Sequence, residues 1–293
     1  VKYKPAMPME ARGSRYALVT GGSSGIGLAT ARGLLPHFGA VGIVGRNQER
    51  LDAAAADLRS SASGTVETFQ ADFGSLGEVR RLAADIKGRF PSLSVLVNNA
   101  GVWHRERHLS KDGYEETFAV NHLAHFLLTN ELEELLAGGA PSRVLNVSSS
   151  MHVRPKSIQW DDLMFEKGFT GFKAYGHSKL ANVLFSNELA RRWSSRGISS
   201  NALNPGNVRS RITRNNAILN ALHRSPIARL AIMTEDDGAR ASIRAALDPG
   251  LEGVTGRYFD KLDEKPPSKP ARDPEAARRL WEVSQQLVES ALS

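Results

Sequence analysis

Two side chains set four residues apart, Tyr175 and Lys179, could carry acid–base chemistry. On a helix this spacing puts a phenol and an ammonium on the same face. A phenol titrating near pH ~10 exchanges its proton poorly at neutrality, and a nearby cation lowers that pKa by favouring the phenolate. The pair alone arises by chance on many helices. It gains weight from Ser148-Ser149-Ser150, which closes the preceding short apolar run and would face the same cleft. A second constellation lies far upstream, where Leu18-Val19-Thr20 runs into Gly21-Gly22-Ser23-Ser24-Gly25-Ile26-Gly27. It reads as strand, tight turn and helix. Glycine lets the backbone take positive φ and approach a ligand closely, and a helix N-terminus offers unpaired N–H groups to a pyrophosphate.

These groups must be positioned by the elements between them. Short apolar runs at 16–20, 40–45, 65–70, 94–97, 143–147 and 198–203 read as strands. Helical patterns at 29–38, 48–59, 76–90, 114–136 and 173–193 alternate with them. Such alternation predicts an α/β fold with a parallel sheet covered on both faces. Residues 1–15 read as a surface arm and 16–293 as one domain. Two long excursions, 151–171 and 207–232, leave from strand ends where ligands of open parallel sheets bind, and are candidate pocket walls. They could equally cover a sheet edge or an oligomer contact.

With 293 residues and 41% hydrophobic content the chain can bury a sizeable core. It has no cysteine, which excludes disulfides, thiolate metal sites and cysteine nucleophiles. No apolar run is long enough to span a bilayer, and residues 1–15 lack the apolar centre of a signal peptide, so a soluble, cytoplasmic protein is expected. The net charge of +7 comes from dispersed Lys and Arg without aromatic interleaving, which argues against nucleic-acid binding. It would instead draw an anionic cofactor into a cleft. His122, His125 and His177 form no convincing ligand cluster, so no metal is expected. In a dinucleotide fold an acid near the end of the second strand would bind both ribose hydroxyls of NAD. Here that strand ends Ile43-Val44-Gly45-Arg46, and a guanidinium suits the 2′-phosphate of NADP(H), with Arg50 one helical turn on as a helper.

Taken in order, Thr-Gly-x-x-x-Gly-x-Gly, Asn-Asn-Ala-Gly, a strand-end serine, Tyr-x-x-x-Lys and Pro-Gly resemble the short-chain dehydrogenase/reductase family from about residue 16 onward. Trp160-Asp161-Asp162-Leu163, His177-Ser178-Lys179-Leu180-Ala181-Asn182, and Ala271-Arg272-Asp273 followed by Leu280-Trp281-Glu282 are similar to its retinol-dehydrogenase-like branch. The resemblance implies a single-domain Rossmann-type doubly wound sheet. It implies a phosphate turn of Gly21, Ser23, Ser24, Gly25, Ile26 and Gly27. Arg46 would take the 2′-phosphate, and Asp72 beside Phe73 would take the adenine amino group. Asn99, Ala100 and Gly101 would line the adenosine ribose, while Pro205, Gly206, Val208 and Ser210 would hold the nicotinamide end. The implied catalytic set is Asn121, Ser149, Tyr175 and Lys179. Tyr175 would protonate the carbonyl oxygen as hydride reaches its carbon, Ser149 would stabilise that oxygen, and Lys179 would tune the phenol and hold the nicotinamide ribose. Asn121 would position a water.

The expected activity is hydride transfer between NADP(H) and a carbonyl or alcohol of a fairly large apolar or aromatic substrate. A quinone or polyketide ring ketone would use the same residues, and a non-catalytic NADP-binding regulator is the alternative from another class. Membrane-bound members of the branch carry an N-terminal anchor that this sequence does not show, which argues against a lipid-dissolved retinoid. Trp103, His104 and Arg107 are candidates for the substrate cleft, and Trp281 for the core. Self-association as a homodimer or homotetramer would use the helices at 114–136 and 173–193.

Overall fold

The computed structural model describes residues 15–208 and 233–293. The expected arm at 1–14, most of the second excursion, and Ser210 lie outside the described residues. Within them, eight strands form one sheet. They are β1 (Tyr16–Thr20), β2 (Ala40–Gly45), β3 (Thr65–Gln70), β4 (Val95–Asn98), β5 (Ser142–Val147), β6 (Ile198–Asn204), β7 (Tyr258–Asp260) and β8 (Asp263–Glu264). Their order is β3-β2-β1-β4-β5-β6-β7-β8, and every pairing is parallel except that of β8 with β7. Strand order reverses between β1 and β4. At such a point the two connections leave in opposite directions and open a crevice beyond the carboxyl ends of the strands.

The strands read as unbroken apolar runs because both sheet faces are buried. On β1, Ala17 and Val19 enter one core layer with Val41, Ile43, Leu145 and Leu203, while Leu18 points into the other with Leu96 and Val144. The first layer is covered by α1 (Gly25–Leu34) and α2 (Gln48–Ser61). The second is covered by α3 (Leu76–Arg89), whose Leu76, Val79, Leu82, Ala83 and Ile86 make one apolar stripe.

The expected long helix at 114–136 is broken. It consists of α4 (Glu116–Phe118), a π turn (Ala119–Leu123), α5 (Ala124–Glu131) and α6 (Glu133–Gly138). The π turn comes at Asn121, whose carbonyl accepts from the His125 ring at 3.1 Å. The helix expected at 173–193 is α7 (Gly171–Trp193), capped by the Thr170 side chain. Then follow α8 (Glu235–Leu247), which closes over the face of α1, and α9 (Pro274–Leu292). Trp281 of α9 is buried as expected, against Phe126 of α5 and Phe185 and Trp193 of α7. One face of α5 and one of α7, the two helices expected to pair between subunits, are therefore packed against this chain's own last helix.

Candidate active site

Beyond the carboxyl ends of β1, β2, β4, β5 and β6 lies a cleft of about 700 Å3. Its floor is the glycine turn. Gly21 and Gly25 sit at φ +67° and +60°, where a Cβ is strained. A Cβ on Gly27 would land 2.3 Å from the Gly21 carbonyl oxygen, so only glycine lets α1 start this close to β1. Ser24 is the N-cap of α1 but makes no side-chain cap, which leaves the first amides of the helix for a ligand. The Asn-Asn-Ala-Gly turn after β4 is braced on Thr20. The Thr20 hydroxyl accepts from the Asn99 and Ala100 amides, both at 2.9 Å, and Asn99 Nδ2 donates to the Thr20 carbonyl at 2.8 Å.

At one end of the cleft Arg46 and Arg50 stand exposed on its wall beside Gly45, where a Cβ would meet Ser23 Oγ at 2.9 Å. Asp72 and Phe73 line the same end. Burial pushes the Asp72 carboxyl up, but the Gly74 amide at 2.9 Å and the Lys111 ammonium at 3.1 Å outweigh it and hold it below the usual carboxylate range. Lys111 also bonds Glu78 at 2.8 Å, so this wall is stitched by a lysine that no sequence pattern singles out.

At the other end Ser149, Tyr175 and Lys179 converge. Ser148 is spent on structure, since its hydroxyl donates to the Lys179 carbonyl at 2.8 Å. Ser149 lines the cleft beside Tyr175, and its hydroxyl accepts from the Met151 amide at 3.2 Å. The Lys179 ammonium lies 5.5 Å from the centre of the Tyr175 ring and donates to the Val147 carbonyl at 3.1 Å. Burial dominates both groups of this pair. It pushes Tyr175 up to about 12 against the opposing effect of the Ser149 hydroxyl, and pushes Lys179 down to about 8. Desolvation penalises both charged forms, leaving a protonated phenol beside a weakened ammonium.

Asn121 holds the backbone that follows the turn. It is fully buried, its Oδ1 accepts from the Val102 amide at 2.7 Å, and its Nδ2 donates to the Val102 carbonyl and Ser178 Oγ, both at 3.0 Å. This side chain holds the turn after Gly101 against α7. Pro205, Gly206 and Val208 line the cleft, with Gly206 at φ +90° and Val208 bridged to Met233. Of the three candidates after the turn only Trp103 lines the cleft, its ring tilted against that of Phe172 at 5.5 Å between centres. His104 turns to Glu116 at 3.1 Å, and Arg107 donates to the Met164 carbonyl at 3.0 Å. Glu116, Met151 and Phe172 also line the cleft, though nothing in their spacing marks them out.

His122, His125 and His177 are packed neutral groups. His122 lies 2.8 Å from Ser284 Oγ, His125 2.9 Å from Thr20 Oγ1, and His177 accepts from the Gln159 amide at 2.9 Å. Burial pushes the first two down to about 3 and His177 to about 4. Among the described residues no group of acids and histidines could hold a metal ion, and no helix is long and apolar enough to cross a membrane.

The fold and this cleft define a nucleotide-crevice α/β protein with an oxidoreductase's side chains. The family described as short chain dehydrogenase matches residues 15–218, and the chain belongs to it. Retinol dehydrogenase 13 of Homo sapiens is 39% identical over 280 residues, covering 94% of this chain and 84% of that protein. Retinol dehydrogenase 14 of Mus musculus is 39% identical over 290 residues, covering 94% and 86%. Among solved structures, a short chain dehydrogenase from Burkholderia cenocepacia in complex with NADP superposes with a TM-score of 0.67 at 27% identity, covering 85% of this chain and 96% of that one. The chain is thus an oxidoreductase acting on alcohol or carbonyl groups, of the retinol-dehydrogenase-like branch.

Proposed function

We propose that the protein is an NADP(H)-dependent reductase of large apolar or aromatic carbonyl compounds, running in reverse as an alcohol dehydrogenase. The observation that carries this reading is the convergence of Ser149, Tyr175 and Lys179 at one end of a cleft whose other end presents Arg46 and Arg50. The cofactor fits the residues present. The Gly21, Gly25 and Gly27 cradle would be filled by any Cβ, the uncapped α1 amides suit a pyrophosphate, and the two arginines suit a 2′-phosphate. When bound, NADPH supplies the hydride.

The chain's own residues do the rest. Ser149 orients the carbonyl oxygen and stabilises charge growing on it, while Tyr175 donates its proton to that oxygen. A phenol held near 12 stays protonated throughout the neutral range. Lys179 braces the strand end that carries Ser149 and offers its ammonium to the nicotinamide ribose. Asn121 acts as a positioning residue, fixing Val102 and Ser178. Trp103 and Phe172 wall the site against water and give the substrate end its apolar surface.

The test is single-turnover oxidation of bound NADPH, and of NADH, by wild type and Tyr175→Phe against a panel of aldehydes, ring ketones and quinones. Wild type should react with NADPH at concentrations about ten- to a hundredfold below those needed with NADH, the worth of one or two charge-assisted bonds to the phosphate. Tyr175→Phe should bind NADPH normally and transfer hydride about a hundredfold or more slowly. Equal transfer by the two proteins would remove Tyr175 from the mechanism. Equal use of both cofactors would remove Arg46 from its role.

A further inference from the structure

On α7 the spacing of Phe172, Tyr175 and Lys179 faces them to the cleft, while Thr170, Lys173 and His177 share another flank. That flank borders a second, open cavity of about 420 Å3, lined on its far side by residues of the 151–171 excursion. Phe172 belongs to both cavities. It is 47% exposed, far more than is usual for a large aromatic ring, and the Arg154 guanidinium stands 5.8 Å from its centre. The second cavity is apolar below, at Phe165 and the neutral His177 ring, and cationic around the rim, at Arg154, Lys156 and Lys173.

Those three cations have no carboxylate partner among the described residues, where many other lysines and arginines are paired. The nearby Asp162 carboxylate is occupied by the Glu166 and Lys167 amides at 2.7 and 3.1 Å. The stretch 209–232 contains five arginines and no Asp or Glu, so it has no acid to offer. Like charges gathered around one concavity repel, and an anion seated there relieves that repulsion. The N-terminus of the 23-residue α7 adds its dipole at Thr170.

We infer that this cavity takes the anionic end of the substrate, a carboxylate on an apolar skeleton that passes Phe172 and presents its carbonyl to Ser149 and Tyr175. The inference rests on the oxidoreductase reading of the cleft and narrows it to amphiphilic oxo-acids. A floor of rings with a rim of fixed charge selects such a molecule, because a neutral skeleton of the same length leaves the rim unneutralised.

The experiment compares a chain-length series of ω-oxo carboxylates with their methyl esters, measuring kcat/KM with saturating NADPH. Wild type should favour the acid about tenfold or more at the length that spans the two cavities. Raised ionic strength should erode that preference. The double variant Arg154→Gln with Lys173→Gln should bring the acid down to the level of its ester while leaving the ester unchanged, so that ester turnover reports an intact fold and intact chemistry. Acid and ester equal in wild type at every length, or a preference that survives in the double variant, would overturn the inference. If wild type reduces neutral ring ketones but neither member of any pair, the inference fails and the oxidoreductase reading stands. If it oxidises NADPH with no carbonyl compound at all, both fail.

Discussion

An ammonium only 3% exposed, donating to one backbone carbonyl, is a costly group to fold around, and Lys179 is such a group. Burial takes it from an ordinary lysine value near ~10.5 down to about 8. The sign follows from linkage: the unfolded chain holds the proton more tightly, so the penalty on folding is fully present below pH 8 and fades as pH rises toward the unfolded value. Lys179→Met, which keeps the stem and removes the charge, should therefore stabilise the protein at pH 7 by up to about 3 kcal/mol while destroying activity. Urea unfolding of both proteins at pH 7 and pH 10 checks this. The gain should be mostly gone at the higher pH, and a gain of the same size at both would show that lost charge is not its source. A residue that harms stability and is nonetheless set beside Tyr175 and Ser149 is what a site built for chemistry leads one to expect.

At the scale of elements, the sequence was readable where one periodicity served one purpose. The strands announced themselves as apolar runs because both their faces are buried, and the glycine turn because Gly21, Gly25 and Gly27 each have a steric reason to lack a Cβ. Ser149 rather than Ser148 was implied by the family resemblance alone, and in the structure the Ser148 hydroxyl is taken up by the Lys179 carbonyl. What could not be read depends on partners distant in the chain. The break in the helix at 114–136 is hidden by apolar residues that keep helical spacing through it, and arises where Asn121 turns to Val102 and Ser178. Lys111 reaches Asp72 and Glu78 from a loop with no pattern of its own. Glu116 and Phe172 enter the cleft only because their elements happen to end there. Trp281 was placed in the core on amphipathic spacing alone, and the structure shows how much that contact holds together. Its ring lies 5.0 Å from Phe126, 5.8 Å from Phe185 and 6.3 Å from Trp193, with the Arg192 guanidinium at 4.5 Å. Trp281→Ala should cost about 3–5 kcal/mol in chemical denaturation, the range for emptying a large aromatic site. A loss below ~1 kcal/mol would mean that α9 is docked elsewhere.

For the molecule as a whole, the same docking decides how the chain meets other copies of itself. Pairing through the helices at 114–136 and 173–193 needs an apolar face on α5 and α7, and α9 already covers one apolar face of each. Ser284 meets His122, Tyr114 donates to the Leu287 carbonyl at 2.8 Å, and Asn187 Nδ2 holds the Ala271 carbonyl just before α9 at 2.9 Å. The large hydrophobic residues exposed among the described residues are Leu109, Val153 and Phe172, of which Phe172 lines both cavities. A stable dimer buries roughly 800 Å2 on each partner, much of it apolar at its centre, and these three residues do not supply such a patch. The net charge of +7 adds repulsion between copies. The protein should therefore scatter light with the mass of one chain at micromolar concentration. A mass of two chains or more would show that association uses some other surface. Deleting the chain from Pro274 onward provides the complementary measurement. With α9 gone, Phe126, Phe185 and Trp193 lose their cover, and the truncated chain should associate or aggregate at concentrations where the full chain stays single. If it remains monomeric and soluble, α9 is not what keeps that face from pairing.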